Sequence, residues 1–530
     1  MSIYRGEFTS FDGTDYTIDL TTTYSATKPG AGSVTASYVV EDGSANLSYE
    51  SEDNALIGLF PSAFEWTFVA EDNTDYTTLT GLFDRYDETW FVIVYKSGDT
   101  ALYWEGFLNM LPTSYDYSSE NQSFNFKAFD YITLLKDRKV WEQWPGLYGV
   151  EADRRSGAFP GGSLYSIATG FGYYRSDSAG ANDDQIPDAA FTYNGNAYDK
   201  AWRFYPFLPK PSWGVGLVYS LLYDLTIEKT TIKSLTSAFW DDSSGVRNSS
   251  VGTLHSLWKT DLVPYILYDS NNIYISGLTP RMGVREDLDI YKFLSEYTKY
   301  LRARLFQHEG NYYFMQVECY KGNASNEIET AVFDNDWSGG RPGAERTVVA
   351  SSSSRPTLTA TDYELDVTAP RTEGLMDVNI DIIEPYREVV LKMFNTYGGK
   401  DQTFKATVDA GGSNNFTPQR ANKYELEIKS FGFEDMYYTN DTIRSWVDGA
   451  NETNTYPNLF VKRMASFYSG PRDKINAGLI NADYSFLKSL VFNSKDYLPA
   501  RVKYDLNQDK WNGEWIEFTV DTTNVGTPTG

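Results

Sequence analysis

The first 140 residues alternate apolar and polar positions with a period of two. In FEWTFVA, Phe64, Trp66, Phe68 and Ala70 alternate with polar residues such as Glu65 and Thr67, and SFNFKAF further along repeats the pattern. This is the period of a strand that buries one face. We therefore predict a sheet in this region.

A hairpin is predicted in WFVIVYKSGDTALYWEGFL, 90–108, where Ser97, Gly98 and Asp99 separate two apolar runs. Turn-forming residues between apolar runs are typical of a β-hairpin. Asp130 precedes YITLLK and can cap a short helix there. The first 140 residues are thus predicted to form a compact β-domain that ends in a helical turn.

The pattern changes to a helical period near residue 284. In VREDLDIYKFLSEYTKYLRARLF, Ile290, Phe293, Leu294, Tyr297 and Leu301 recur at helical spacing, and charged residues fall mostly off this stripe. A single apolar stripe predicts an amphipathic helix.

Two strands are predicted directly after this helix, at 303–308 and 312–320. Glu309, Gly310 and Asn311 between them suit a hairpin turn. We expect the helix to pack on this hairpin.

The remaining patterns are shorter. Turn formers at 175–198 predict a long exposed loop, clustered Gly, Ser and Pro at 334–358 predict a linker or mobile loop, and 215–225 suits a buried helix. Strand-like alternation returns at 375–394 and 498–520, with a helix predicted around NLFVKRMASFYSG.

Composition indicates the number of domains and the fold class. The chain has 530 residues, and single cores stop growing near roughly 250–300 residues, so about three domains are expected. Aromatic residues make up 16% of the chain, which favours sheets over helical bundles. We predict an α+β protein that is mostly β and has several domains.

The formal net charge is -26, from 72 acidic and 46 basic residues. A protein that grips nucleic acid needs clustered Lys and Arg, so sequence-specific nucleic-acid binding is not expected. The excess acids could line a channel that DNA slides through without sticking, or could serve solubility alone.

Cysteine usage and hydropathy bear on the compartment. Cys319 is the single cysteine, so an intrachain disulfide is excluded, and MSIYRGEF lacks the features of a secretory signal. No uncharged apolar run approaches the roughly 20 residues that a membrane-spanning helix needs. We expect a soluble protein made in a reducing cytoplasm, without membrane insertion.

Catalytic candidates are few. The two histidines, His255 and His308, are more often structural than catalytic in such positions. No nucleophile elbow, phosphate-binding loop or zinc-protease motif occurs, and one cysteine with two distant histidines does not favour a zinc site. We predict that the chain is not an enzyme.

Acidic pairs and aromatic rings leave minor alternatives. Asp183 with Asp184, or Asp241 with Asp242, could serve a glycosidase, but among 72 acids such pairs arise by chance. The stretch 177–188 does not fit an EF-hand loop, because its sixth position is Asn182 where the loop requires Gly and its twelfth is Asp188 where the loop has Glu. We predict no catalytic, cofactor-binding or metal-binding residue. Exposed rings could stack on host glycans, although most Trp and Tyr fall at alternating strand positions and indicate core.

The order of motifs resembles that of tail hub proteins of tailed phages. YRGEF, FEWTFVA, LYWEGFL and FNFKAFDYITLLKD follow one another in the first domain. In that family a β-barrel ends in an Ala-x-Asp-x-x-x-x-Leu turn, which Ala128, Asp130 and Leu135 match. LRARLFQHEGNYYFMQVECY is similar to the family's middle helix and hairpin, and YLPARVKYDLNQDKWNGEW to its C-terminal part.

This resemblance implies a homotrimer with two β-barrel domains per subunit, arranged as a pseudo-sixfold ring at the tail tip. Such a ring meets the tail tube or distal tail proteins on one face and the spike or tip protein on the other. The tape measure protein and DNA pass through its lumen, and no cofactor is needed. The alternative is a peripheral tail or receptor-binding protein that recognises host surface glycans.

The predicted organisation has four parts. These are an N-terminal β-barrel-like domain at 1–140, a middle α+β domain with a loop insertion at 141–333, a linker or mobile loop at 334–358, and a C-terminal β-rich domain with a short helical part at 359–530.

Overall fold

The computed structural model describes the chain in segments. Described are residues 2–23, 25, 27–51, 56–84, 90–96, 102–115, 122–136, short strands between 191 and 284, 289–320, 328–333, 364–366, 375–393, 402–407, 423–429, 431–432, 456–468, 470–480 and 484–518. The predicted linker at 334–358 and the predicted helix at 215–225 lie outside the described residues. The predicted domain boundaries stay predictions.

The N-terminal part is built mainly from strands. Its strands and helices are β1 (Ile3–Thr9), β2 (Asp15–Thr21), β3 (Ala36–Val40), β4 (Asn46–Glu50), β5 (Gly58–Phe60), β6 (Ser62–Ala70), α1 (Asn73–Thr80), β7 (Phe91–Lys96), β8 (Leu102–Tyr115), β9 (Gln122–Phe129) and α2 (Tyr131–Leu134).

Seven of these strands close into a barrel, which we call the N-terminal barrel. Going round it, β6 pairs with β3, β3 with β1, β1 with β2, β2 with β7, β7 with β8, β8 with β9, and β9 pairs back with β6. All of these pairs are antiparallel except β1 with β3. The barrel and the strands of the rest of the described chain confirm the predicted mostly β fold class.

The alternating apolar side chains of β6 and β9 fill the core of the barrel. Phe64, Trp66, Phe68 and Ala70 are all buried, as their period of two predicted, and the rings of Trp66 and Phe126 stack 5.2 Å apart. Burial of one large apolar side chain contributes about 1.5–3 kcal/mol. The hairpin of β7 and β8 is confirmed, and its predicted turn lies outside the described residues.

The middle part contains short strands, one long helix and a hairpin. They are β10 (Phe191–Tyr193), β11 (Asn196–Tyr198), β12 (Ile232–Ser237), β13 (Val263–Pro264), β14 (Ile266–Leu267), β15 (Tyr274–Ile275), β16 (Thr279–Pro280), β17 (Gly283–Val284), α3 (Ile290–Tyr300), β18 (Ala303–His308), β19 (Asn311–Gln316) and β20 (Ile328–Phe333).

We call the five strands in the order β20-β12-β19-β18-β5 the central sheet. Its hairpin of β18 and β19 is the predicted one, closed by Glu309 and Gly310 at φ values of 48° and 68°. Positive φ at both positions is what a type I′ turn requires, and it suits the twist of the two strands. The predicted helix is confirmed in α3, whose apolar stripe is buried.

Two predictions in this part were wrong in detail. The predicted strand 312–320 ends at Gln316, and 317–320 form a 3₁₀ turn that brings the Tyr320 hydroxyl to the Phe486 carbonyl, 3.1 Å away. Within the predicted loop at 175–198, β10 and β11 pair as a hairpin. The sequence between them is Asn-Gly, which favours a two-residue hairpin turn over an open loop.

The C-terminal part returns to longer strands. Its elements are β21 (Glu364–Asp366), β22 (Leu375–Ile383), β23 (Glu388–Met393), β24 (Gln402–Thr407), β25 (Lys423–Ile428), β26 (Phe431–Gly432), α4 (Tyr456–Phe467), β27 (Arg472–Ile480), β28 (Ser489–Phe492), β29 (Lys495–Asp505) and β30 (Lys510–Glu517).

The strands in the order β22-β27-β30-β29-β28-β21 form what we call the C-terminal sheet. A separate small sheet, β24-β23-β25, packs against α4 and α3. The strands predicted at 375–394 and 498–520 and the helix around NLFVKRMASFYSG are thereby confirmed. No helix among the described residues is long and apolar enough to cross a membrane.

Candidate functional site

The residues that sequence patterns raised as chemical candidates do not come together in the described part of the chain. His308 ends β18 and its side chain is mostly buried, with Nε2 3.9 Å from Glu309 Oε1. Cys319 lies in the 3₁₀ turn at 317–320. His255 and the pairs Asp183 with Asp184 and Asp241 with Asp242 lie outside the described residues. Within those residues, no group of three His, Cys, Asp or Glu is placed to hold a metal.

What the described residues do bring together is a joint, the set of contacts where the N-terminal barrel, the central sheet and the C-terminal sheet meet. Its first component is a shared ladder in which β4, paired with β6 of the barrel, also pairs with β29 along Asn46–Glu50 and Arg501–Asp505. The turn after β29 extends this contact, since Leu506 N donates to Ala45 O at 2.9 Å and Ala45 N to Asn507 Oδ1 at 3.0 Å. The barrel and the C-terminal sheet are therefore parts of one hydrogen-bonded sheet.

Gln307 forms the second component, between β18 and β8. Its side-chain amide exchanges two hydrogen bonds with the backbone of Glu105, as a paired strand residue would. Glu105 N donates to Gln307 Oε1 at 3.0 Å, and Gln307 Nε2 donates to Glu105 O at 2.9 Å. Gln307 Nε2 also reaches the Tyr312 hydroxyl at 3.1 Å, which in turn accepts from Tyr131 N. All four residues are buried. A buried amide satisfied on both sides holds the hairpin at one position against the barrel.

Asp130, the predicted cap, is the third component. It is fully buried and accepts from Ile132 N, as a helix cap does, and also from Ser62 N and Ser62 Oγ at 2.7 and 2.8 Å. Burial raises the pKa of Asp130 to about 7, although the three donors act in the opposite direction. The carboxyl group ties the start of β6 to the start of α2.

Arg304 is the fourth component and lies between the central sheet and the C-terminal sheet. The guanidinium is fully buried, with its carbon 4.0 Å from the ring centre of Phe60, 4.5 Å from that of Phe486 and 5.4 Å from that of Tyr320. Its Nη2 donates to the carbonyl oxygen of Pro499. Burial lowers the pKa of Arg304, and stacking on aromatic faces offsets part of the cost of desolvating the charge.

Helix α3 completes the joint from the side. Tyr291 N donates to Leu135 O at 3.2 Å, and Lys429 N, next to β25, donates to Glu296 Oε2 at 2.7 Å. Glu296 is one of the charged residues off the apolar stripe, and it is nevertheless buried, with this bond as a partner for its carboxylate. The helix therefore links the end of the barrel domain to the small sheet.

Sequence patterns located part of this joint and missed the rest. The Asp130 cap was predicted from its position before YITLLK, whereas Gln307 and Arg304 stood inside a strand pattern with no sign that they would be buried. One feature of the sequence could have drawn attention to them. In the strand ARLFQH, Arg304 and Gln307 stand next to apolar residues, and a polar side chain in a strand whose two faces are both covered needs a hydrogen-bond partner. The joint consists of strand pairing, buried hydrogen bonds and aromatic packing. Among the described residues it presents no arrangement of nucleophile and base.

Comparison with known proteins found solved structures that are similar to this chain. No family profile and no curated protein matches the chain. Among solved structures, prophage tail protein gp18 from Listeria monocytogenes is similar at 8% identity and a TM-score of 0.34, with 92% of this chain and 90% of that chain covered.

A 43 kDa tail protein of prophage MuSo2 from Shewanella oneidensis is similar at 7% identity and a TM-score of 0.36, covering 91% of this chain and 95% of that one. A Francisella PdpA-VgrG complex is similar at 8% identity and a TM-score of 0.27, covering 91% of this chain and 54% of that one. The solved structures that resemble this chain thus include prophage tail proteins and a VgrG complex, at similarities too low to assign a family or an activity.

Proposed function

We propose that the chain is a structural hub of a phage tail and not an enzyme. In this role it forms a ring at the tail tip that joins the tail tube to the spike or tip complex and passes DNA during ejection. The observation that supports the proposal is the joint, in which a closed barrel and a second sheet of the same chain are connected by the pairing of β4 with β29.

Three such chains in a ring would set six β-rich parts around one axis. A ring of that kind matches a sixfold tube on one face and a threefold spike on the other, and its closed contacts stop further growth. The tape measure protein and DNA would pass through the lumen without specific binding. The net charge of -26 supports this, because acids facing the lumen would repel DNA phosphates.

The glycan-binding alternative finds no support in the described tryptophans. The tryptophans of the described part, Trp66, Trp90, Trp104, Trp511 and Trp515, are all buried. Rings that fill a core cannot stack on a sugar. We therefore propose no second function.

Imaging of whole tails at a resolution that traces this chain tests the proposal. A hub is expected on the tail axis, in three copies related by a threefold axis, between the tube and the spike. Density for this chain in a peripheral fibre, or at one copy per tail, would contradict the proposal. A computed surface of the traced ring then checks whether acids line the lumen.

A further inference from the structure

Strand β29 changes its neighbour part of the way along one side. On its first side it pairs with β30 along most of its length. On its second side it pairs with β28 along Lys495–Tyr497 and with β4 of the barrel along Arg501–Asp505. Between these two stretches the register with β30 shifts from Pro499 to Arg501, which is a β-bulge. The bulge separates the part of β29 that is bound to the barrel from the part that is not.

We call residues 484–500 the outer hairpin, since they contain β28 and the part of β29 before the bulge. Hydrogen bonds connect it to the central sheet and to the 3₁₀ turn at 317–320. Arg304 Nη2 donates to Pro499 O, the Tyr320 hydroxyl donates to Phe486 O at 3.1 Å, and Ser489 Oγ donates to Tyr320 O at 3.4 Å. Arg304 lies at the point where this contact meets the bulge.

Arg304 is buried without a counter-charge, unlike Arg5, which is buried in the barrel. Arg5 forms two hydrogen bonds with the carboxylate of Asp19, at 2.6 and 2.7 Å. No carboxylate among the described residues forms an ion pair with Arg304, and its Nε and Nη1 make no hydrogen bond there. The aromatic rings around Arg304 stabilise a cation by less than its removal from water costs.

This difference makes the contact around Arg304 less stable than its surroundings. A buried charge with a single hydrogen bond costs more free energy than an apolar side chain of similar size at the same place. The cost disappears when the guanidinium returns to water.

The pairing of β4 with β29 does not depend on this contact. Its residue pairs lie beyond the bulge and do not involve Arg304. On β30 the residue opposite Val502, next to the bulge, is Gly513, and a glycine inside a strand often marks a bulge or a bend. The sheet can therefore bend at the bulge while the barrel stays paired with β29.

We propose that the outer hairpin is a releasable part of the joint. It separates from the central sheet by bending at the bulge after Pro499, so that Arg304 enters water, while β4 and β29 stay paired. Arg304 lowers the stability of the contact that it occupies and so keeps this opening within reach of the folded chain. The inference concerns a single chain, so it stands or fails separately from the proposed hub.

The first test labels the arginines of the full-length, unsubstituted chain with phenylglyoxal in native buffer. Arg304 and Arg5 are both buried, so each reacts only after an opening. Peptide mass mapping should show Arg304 modified at least about tenfold faster than Arg5, because a local opening needs less free energy than global unfolding. Equal rates would mean that both arginines become accessible only when the chain unfolds, and would overturn the proposal.

The second test follows the opening at a neighbouring position with a thiol. Cys319→Ser removes the native cysteine, and Ser489→Cys places one thiol at a fully buried site of the outer hairpin. Ala128→Cys in the same background places a thiol at an equally buried site of the barrel and is the matched reference. A thiol reagent should react at least about tenfold faster with Ser489→Cys than with Ala128→Cys.

Two further variants establish whether Arg304 sets this rate. Arg304→Met replaces the cation with an apolar side chain and should slow the labelling of Ser489→Cys by about tenfold or more, since the relief of desolvation outweighs the lost bond to Pro499 O. Arg501→Met removes an exposed guanidinium beside the same bulge and should leave the rate unchanged. The labelling of Ala128→Cys should not change with either variant.

The other outcomes contradict the proposal. Unchanged or faster labelling in Arg304→Met, or loss of its near-ultraviolet circular dichroism, would show that Arg304 does not weaken the contact. Slower labelling in Arg501→Met as well would assign the effect to charge in general. If Ser489→Cys and Ala128→Cys react at the same rate, the outer hairpin opens only together with the whole chain. None of these results bears on the proposed ring, which imaging of whole tails tests.

Discussion

The N-terminal barrel and the C-terminal sheet use the same sequence pattern, apolar residues at every second position, and differ in how their strands end. Going round the barrel, each strand has a neighbour on both sides, because β9 pairs back with β6. In the C-terminal sheet the described pairings stop at β22 and at β21. Phe64, Trp66 and Phe68 in the barrel are buried, whereas Ile380 and Ile382 on β22 are exposed. A period of two therefore predicts a strand, and topology decides whether the strand's apolar face is covered.

The largest expected effect lies inside the barrel. Trp66→Ala removes a fully buried ring that packs on Phe64, Phe68 and Phe126, and it should lower the free energy of unfolding by about 3–5 kcal/mol. Chemical denaturation followed by near-ultraviolet circular dichroism measures the loss. Trp66→Phe keeps a ring in place and should lose clearly less. Equal losses for the two variants would mean that the barrel core tolerates cavities.

The second effect is a pH dependence at the joint. The pKa of Asp130 is raised to about 7 in the folded chain, so between roughly pH 4 and 7 the folded state binds more protons than the unfolded state. Its contribution to stability is present below the unfolded pKa and is lost as pH rises through the folded one, by at most about 1.4 kcal/mol per pH unit. The free energy of unfolding of the wild type should therefore fall from pH 5 to pH 7 relative to Asp130→Asn.

Asp130→Asn is the control because it removes the titrating group and leaves the other acids in place. Denaturation curves at pH 5, 6, 7 and 8 give the difference between the two proteins. The difference should level off above about pH 7, since Asp130 is then ionised in both states. A difference that does not change with pH would contradict the raised pKa of Asp130.

Substitution of one glycine in each region compares how much stability each region loses when a Cβ is added. A Cβ at Gly106 in the barrel would lie 2.2 Å from Phe129 O, a backbone atom that cannot give way, so Gly106→Ala should cost about 1–3 kcal/mol or more. At Gly478 in the C-terminal sheet the nearest atoms are Lys510 Cε at 3.1 Å and Asn512 Oδ1 at 3.2 Å, at the ends of side chains that can move. Gly478→Ala should change stability by less than about 0.5 kcal/mol. Thermal unfolding of both variants checks the contrast, and a larger loss at Gly478 would reverse it.

The smallest effect is expected at the open edge. Ile382→Thr replaces a side chain that is 70% exposed with another β-branched one. The free energy of unfolding of the single chain should change by less than about 0.5 kcal/mol, as for other surface positions. Denaturant titration in dilute solution measures it. A loss above about 1 kcal/mol would place Ile382 in the core of the chain.

Much of the fold could be predicted from local patterns. The strands of the barrel, helix α3, the hairpin at Glu309 and the cap at Asp130 follow from periods and turn residues that act over a few positions. The pairing of β5 with β18 and of β4 with β29 could not be predicted in this way, because each joins strands that are far apart in the chain. No residue within either strand encodes its distant partner.

Among the residues of the joint, too, those with local contacts could be predicted and those with distant partners could not. Asp130 was located because a cap depends on its own helix, and the depth of its burial depends on Ser62, in a different strand. Arg304 and Gln307 were missed because their partners, Pro499 and Glu105, come from other parts of the chain. The order of parts inferred from the hub resemblance stays a prediction, while the contacts between the barrel and the two sheets are seen only in the folded chain.

The pairing of β4 with β29 joins residues that the ribosome makes at very different times. Ala45 and Asn507, which meet beside that ladder, are 462 positions apart, whereas the barrel strands are complete by Phe129. At roughly 5–20 residues per second, a ribosome needs on the order of a minute or less to make the intervening chain. During that time the nascent barrel can close, but β4 has no β29 to pair with. The pairing of β4 with β29 can therefore form only after every strand of the barrel has been synthesised.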